Sequence, residues 1–322
     1  MKVIHSASEL NAAGRKVCLA IGFFDGVHLG HQQIIRQTVS DARQHEAIAL
    51  VITFDQHPNA VVAPEHTPPL IYSLEQKLTT LESLGPDALL LIHFDKAFSE
   101  QSGEAFIRGL RRDLGPIQSI CVGANFVFGH KRGGNVELLK KLGAELNFTV
   151  HGLGAVSLDG KPISSTRIRQ AIQSGDLDSA GQMLGRAYSL AGKVCRGDGV
   201  GHRLGVPTAN LSTAGLVLPP SGVYAAHATL LTNVSPRPSP LAPHPSLQSW
   251  RAVVNIGHRP TLEKPTPELR VEAHLLDFQG DLYGQELKLV FVEKLRDEKK
   301  FSSLDELRGQ IARDIREAQS RF

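Results

Sequence analysis

From residue 17 to residue 153, short apolar runs alternate with segments of helical period, and after residue 187 that alternation stops. The runs at 17–21, 47–54, 88–94, 117–123 and 148–153 have the length of buried strands. Between them, 31–39, 74–84, 103–114 and 136–146 place apolar residues three and four apart, as an amphipathic helix does. Strands separated by helices pair in parallel, so the expected fold is an α/β parallel sheet with helices on both faces. Ligands of such sheets sit outside the carboxyl ends of the strands. One more short helix, 175–185, ends this part. Beyond it, 188–194, 222–231, 250–256, 269–276 and 285–292 are strand-like, separated by glycine and proline without helices. That pattern predicts a small antiparallel β-barrel, with a charged amphipathic C-terminal helix at 304–320 packed against it. The expected domains are 1–185 and 186–322, and 322 residues suffice for each to bury its own core.

Charge and cysteine usage narrow the partners. A net charge of +3 is too small to argue for a nucleic-acid surface. No apolar run is long enough to span a membrane, and the first residues lack a signal-peptide core, so a cytoplasmic location is expected. Cys18, Cys121 and Cys195 are far apart, odd in number and in or beside apolar runs. They are expected to be buried reduced thiols, not a disulfide framework or a zinc site. Self-association is left open.

The chemistry starts where the first of these runs ends, in Ala20-Ile21-Gly22-Phe23-Phe24-Asp25-Gly26-Val27-His28-Leu29-Gly30-His31. A strand, a glycine-rich turn and a helix start form an anion site: glycine lets backbone approach a phosphate, and the helix N-terminus offers unpaired N–H groups. His28 and His31, three apart, can meet one phosphate from the same side. The alternative is a loop of turn residues whose histidines only cap the helix.

Further segments carry matching chemistry. Thr53-Phe54-Asp55-Gln56-His57-Pro58 follows the second strand and by itself reads better as a turn ended by proline, and 58–71 is a long, proline-containing loop of a kind that is as often just mobile as a functional lid. Ala124-Asn125-Phe126-Val127-Phe128-Gly129-His130-Lys131-Arg132-Gly133-Gly134 could hold a planar ring and a phosphate, or equally be a surface loop with a solvated basic tip. Ser164, Ser165 and Thr166, followed by Arg167 and Arg169, read both as a helix cap and as a second phosphate clamp. In the second half, a glycine- and basic-rich loop containing Gly197, Gly199 and Arg203 leads into Pro207-Thr208-Ala209-Asn210. Its amides can fold over a triphosphate, and the oxygens of Thr208 and Asn210 can share one hard cation. These residues could equally be hairpin turns. Period two puts Arg270, Glu272 and His274 on one strand face, which is more often a solvated one.

Together the segments mark a resemblance. Gly-x-Phe-Asp-Gly-x-His-x-Gly-His resembles the nucleotidyltransferase signature, and its Phe-Asp-Gly-Val-His form is similar to the adenylyltransferase half of the bifunctional riboflavin kinase/FAD synthetases. The Thr-Phe-x-x-His-Pro, Asn125 and Ser164–Arg169 segments resemble the same half. Pro207-Thr208-Ala209-Asn210, Pro219 to Tyr224, Asn255 to Thr261 and Asp281 to Gly284 resemble its riboflavin kinase half.

The resemblance implies a nucleotidyltransferase-type, Rossmann-like first domain and a kinase barrel. It implies phosphorylation of riboflavin by ATP to FMN, then transfer of AMP from ATP to FMN, giving FAD and pyrophosphate. His28, His31 and Arg169 would stabilise phosphate charge, and Glu272 would be the kinase's general base. Gly22, Phe23, Phe24, Asp25, Gly30, Asn125, Ser164, Ser165, Thr166, Gly197, Gly199 and Arg203 would contact the nucleotides or flavin. Thr208 and Asn210 would hold magnesium. Two positions depart from the family pattern: Asn125, where Asp is frequent, and Leu262, where Phe is usual. The first raises a second reading, a riboflavin kinase whose N-terminal domain binds nucleotide without catalysis. The proline-rich stretch 232–249 reads as an inserted spacer.

Overall fold

The computed structural model describes residues 1–197, 199, 201, 204–231, 249–258 and 269–322. They group into two compact units, Met1–Arg167 with Met183–Gly185, and Ile168–Gln182 with Arg186–Phe322. Among the described residues no helix is long and apolar enough to cross a membrane.

The first unit is built on a six-stranded sheet of β1 (Lys2–Ile4), β2 (Val17–Ile21), β3 (Ile48–Phe54), β4 (Ala88–Ile92), β5 (Ile117–Gly123) and β6 (Thr149–Leu153). The order is β1-β4-β3-β2-β5-β6, and every neighbouring pair is parallel. Because side chains alternate across a strand, the apolar runs feed two cores at once. Val17, Leu19 and Ile21 join Leu50, Ile52 and Val122 under helices α3 (Gly103–Leu114) and α4 (Val136–Leu146). Cys18 and Ala20 join Ala49, Val51 and Cys121 under α1 (Leu29–Gln44) and α2 (Leu74–Glu82). Helix α3 starts where Ser102 Oγ accepts from the Ala105 amide and stops at Gly115, whose φ of 80° ends the helical path. The chain steps from β2 through β3 to β4 on one side, then crosses back to β5 and β6 on the other. The order therefore reverses between β2 and β5, where a doubly wound sheet opens its binding crevice.

Helices α5 (Ser165–Ser174) and α6 (Leu177–Leu184) follow. The second unit is a closed antiparallel barrel of β7 (Ser189–Cys195), β8 (Ala209–Leu211), β9 (Gly222–Leu231), β10 (Ser249–His258), β11 (Leu269–Leu275) and β12 (Glu286–Arg296). Its order is β7-β8-β11-β10-β9-β12. Helix α7 (Leu304–Gln319) packs Ala318 and Ile315 onto Val223, Ala225 and Val253. The buried Asp314 holds Arg296 in a two-pronged pair at 2.9 and 2.7 Å, fixing that helix to β12.

Two expectations and one alternative reading need correction. Residues 58–71 are not an open loop: Asn59–Val62 forms a helical turn and Pro64–His66 a 3₁₀ turn, tied by Asn59 Nδ2 donating to the His66 carbonyl. Cys195 is exposed, unlike Cys18 and Cys121, because its position near the end of β7 faces away from the barrel core. Asn210 lies in a strand, not a turn; β8 is only three residues long, too short for any period to show. Arg203, the stretch 232–248 and residues 259–262 lie outside the described residues.

Candidate functional site

In the first unit the glycine-rich stretch is a tight turn in which three of four consecutive residues have positive φ: Phe24 at 55°, Gly26 at 72° and Val27 at 42°. For a β-branched residue that region is strained, at about 1–3 kcal/mol, and such strain gathers at functional sites. The surroundings hold it in place. Asp25 is buried, and its carboxylate accepts from the amides of Ile71, at 3.0 and 3.2 Å, and Tyr72, at 3.4 Å. Its backbone carbonyl accepts from Ser165 Oγ at 3.2 Å, tying the hydroxyl-rich segment to the turn. At Gly26 a side chain would meet both the positive φ and the Ile71 side chain 3.0 Å away.

The turn delivers His28 as the N-cap of α1, its Nδ1 accepting from the His31 amide at 3.4 Å. A neutral His28 that accepts there carries its proton on Nε2, which makes that atom a donor. The two imidazoles are stacked, with centroids 3.6 Å apart and 19° between planes. Gly30 leaves room for this, since a Cβ there would lie 3.2 Å from His28 Cε1. Phe24 is buried and turns its ring edge to His31 at 5.3 Å, backing the pair.

Both histidines line a cavity of about 900 Å³ at the carboxyl ends of β2, β3, β5 and β6, in the crevice that the sheet topology predicts. Gly22, Phe23, Asn125 and Ile163 also line it, and Ser164 follows directly, its Oγ accepting from the Arg167 amide. The lining falls into two sets by chemistry. One carries His28, His31, Gly22 and Gly30. The other is aromatic: Phe54, Phe94 and Phe98 meet at 5.4–5.8 Å, Phe98 meets Phe106 at 5.6 Å, and Phe126 stacks on Phe128 at 5.2 Å. Lys131 and Arg132, both in the left-handed region, add positive charge at its wall beside His130. A planar aromatic ring and a polyphosphate are the ligand parts that such a division accepts.

Of the nucleotide-contact residues expected in this unit, Phe24 and Asp25 serve as the frame of the turn, and Asn125 and Thr166 are exposed. Arg169 is buried on α5. Lys77 went unnoticed in the sequence. This buried lysine donates to the Phe54 carbonyl at 2.7 Å and the Phe23 carbonyl at 3.4 Å, and sits 4.5 Å from the Phe23 ring centre. Burial pushes its ammonium down to about 8 from 10.5, although Asp25 and Asp55 pull it up. Between those values the unfolded chain binds the extra proton. The Lys77 contribution to the stability of this unit is therefore expected to rise by about 3 kcal/mol as pH passes from about 8 to 10.5, offset in part above pH 9 by the raised Cys121 thiol, and to be lost on return to pH 8. Chemical denaturation across that pH range checks it, with Lys77→Met expected to abolish the rise.

The barrel unit carries a second constellation. Asn210 on β8 pairs in register with Glu272 on β11, and Glu272 pairs on its other side with Asn255 on β10. Directly paired residues face the same side, so the three polar side chains form one row across adjacent strands. His274 Nδ1 lies 2.8 Å from the Pro207 carbonyl, so β11 also holds the segment that carries Thr208. The glycine loop closes on this row. A Cβ at Gly197 would overlap the Asn210 amide, and one at Gly201 would lie 3.1 Å from Thr208 Oγ1. Gly199 takes a φ of 70°. The Arg196 guanidinium lies over the Tyr283 ring at 5.8 Å.

Comparison with known proteins covers both constellations. The family model for FAD synthetase matches residues 10–167, and that for riboflavin kinase matches 184–322. A bifunctional riboflavin kinase/FMN adenylyltransferase of Escherichia coli (strain K12) is 35% identical over 315 residues, 98% of this chain and 96% of its own. Proteins of the same description from Haemophilus influenzae and Pseudomonas fluorescens are 32% and 33% identical. They align over 100% and 99% of this chain, and over 99% and 97% of their own lengths. A solved Streptococcus pneumoniae structure described as a macrolide-efflux protein is similar over 99% of both chains, with a TM-score of 0.78 at 27% identity.

Proposed function

The chain belongs to the bifunctional riboflavin kinase/FMN adenylyltransferase family, and from that premise we propose how its two halves divide the work. It phosphorylates riboflavin with ATP to FMN and joins FMN to the AMP part of ATP, releasing pyrophosphate. The comparisons lend no support to reading the N-terminal half as catalytically silent.

We assign adenylyl transfer to residues 1–185. The observation that carries this is the stacked His28–His31 pair in the wall of a cavity that is also lined by a cluster of aromatic rings. The FMN phosphate is itself the nucleophile, so the enzyme has to position it and neutralise charge on the α-phosphate and the departing pyrophosphate. His28 and His31 donate to those oxygens, together with the amides opening α1. Gly22 and Gly30 allow backbone and rings to close up, Phe23 and Asn125 line the ligand space, and Phe24 and Asp25 shape the turn. Ser164, Ser165, Thr166 and Arg169 form the second phosphate clamp on the strength of their motif.

Residues 186–322 are assigned the kinase step. Glu272 takes the proton from the ribityl hydroxyl as that oxygen attacks the terminal phosphate of ATP. Gly197, Gly199 and Arg203 belong to the loop that covers the phosphates. The oxygens of Thr208 and Asn210, half-buried under that loop and beside Glu272, fit a hard divalent cation such as magnesium. When bound, that ion offsets phosphate charge. Asn210→Ala is expected to raise the magnesium needed for half-maximal FMN formation about tenfold, the loss of about 1.4 kcal/mol. Magnesium titrations of both reactions check this, because FAD formation from supplied FMN keeps its own dependence. We place the chain, which draws on ATP in both steps, in the cytoplasm.

A further inference from the structure

Below the cavity floor, on the α1 side of the sheet, three side chains meet that neither reaction uses. Asp41 projects from α1, Cys121 from β5 and His151 from β6. Asp41 Oδ2 lies 3.1 Å from His151 Nε2 and 3.7 Å from Cys121 Sγ, and all three potential ligand atoms fall within 4.8 Å of one another. Tetrahedral zinc, bound at about 2.0–2.1 Å by nitrogen or oxygen and about 2.3 Å by sulfur, spaces its ligand atoms roughly 3.3–3.6 Å apart. The two measured edges bracket that spacing.

The surroundings support a cation. Gln37 Nε2 donates to Asp41 Oδ1 at 2.7 Å and Ser119 Oγ to Oδ2 at 2.8 Å, so the carboxylate is oriented by neighbours. Cys121 is fully buried, with its Sγ against the Asp41 carboxylate. With a thiolate, a carboxylate and a neutral imidazole on one divalent ion, the charges sum to zero. The His151 side chain is 34% exposed, which provides a path for entry. A thiolate and an imidazole select zinc over magnesium, in contrast to the all-oxygen pair of Thr208 and Asn210.

We propose that Asp41, Cys121 and His151 form a zinc site, with a fourth position left for water. Binding displaces the thiol proton: Zn²⁺ and Cys–SH give Zn–S⁻–Cys and one H⁺. The ion joins the helix that begins at His28 to the strands that run out to Gly123 and Leu153, so it braces three cavity-lining segments from beneath. At free zinc one hundred times its dissociation constant, the folding equilibrium of this unit shifts about a hundredfold toward the native state.

Cobalt(II) added to the chelator-stripped full chain tests this. One equivalent is expected to give the sulfur-to-cobalt charge-transfer band and the intense visible bands of a tetrahedral site, both erased by zinc. Cys195→Ser, which changes the exposed thiol, should leave them intact. Cys121→Ser should lose the charge-transfer band. His151→Ala, checked for native folding by circular dichroism, should weaken cobalt binding at least tenfold. The proposal is overturned if the native chain shows no such bands, if they vanish in Cys195→Ser, or if His151→Ala binds cobalt as tightly as the native chain.

Discussion

Replacing His28 with alanine is expected to lower FAD formation from FMN by about 10²–10³-fold while FMN formation from riboflavin keeps its rate. The magnitude is that of removing one preorganised donor from a site where charge builds in the transition state. The selectivity follows from placement: His28 stands at the start of α1 and lines the cavity of the first unit, whereas Glu272, Asn210 and Thr208 belong to the barrel unit. His28 also caps α1, and losing a cap costs about 0.5–2 kcal/mol, so alanine alone mixes two effects. His28→Asn separates them. Asparagine is a strong cap but presents no imidazole to stack on His31, so this variant should fold like the native chain and still fail to make FAD. Thermal denaturation beside the FAD assay reads both. Full FAD synthesis by His28→Asn would remove the imidazole from the chemistry.

Glu272→Gln is expected to act in the opposite half, cutting FMN formation by about 10²–10⁴-fold, the usual range for a general base. Glutamine keeps the shape and can still sit between Asn210 and Asn255 in the row across β8, β11 and β10, so the barrel should be undisturbed. It cannot take the ribityl proton. FAD formation from supplied FMN should proceed at the native rate. If FMN formation fell only a few-fold, Glu272 would be a positioning group and the base would have to be sought elsewhere in the barrel.

How much of this could be read in advance depended on whether a residue's role was local. The bounds 17–21, 103–114, 117–123, 136–146 and 222–231 all reappear as elements, because each is long, regularly patterned and closed by glycine, proline or a cap. The strands Lys2–Ile4 and Ala209–Leu211 were not legible, being three residues long and defined by their partners. The histidine turn was legible because strand, glycines and helix start are contiguous. Its support was not: Asp25 is fixed by Ile71 and Tyr72, 46 and 47 positions on, and Lys77 reaches Phe23 across 54. Phe94, Phe98 and Phe106 look like ordinary core residues in the sequence, and only the sheet order brings them together with Phe54 at the cavity wall. The meeting of Asp41, Cys121 and His151 was not legible either, because they come from one helix and two strands with no shared motif.

The division of labour between the two units is tested most directly by one chromatographic time course. Riboflavin, ATP and magnesium are supplied to the native chain, to His28→Asn and to Glu272→Gln, and flavins are separated at intervals. The native chain should show FMN rising and then giving way to FAD. His28→Asn should stop at FMN, and Glu272→Gln should leave riboflavin unchanged yet convert added FMN to FAD. If either folded variant lost both steps together, the two reactions would not be housed in separate halves, and the account given for each constellation would be contradicted.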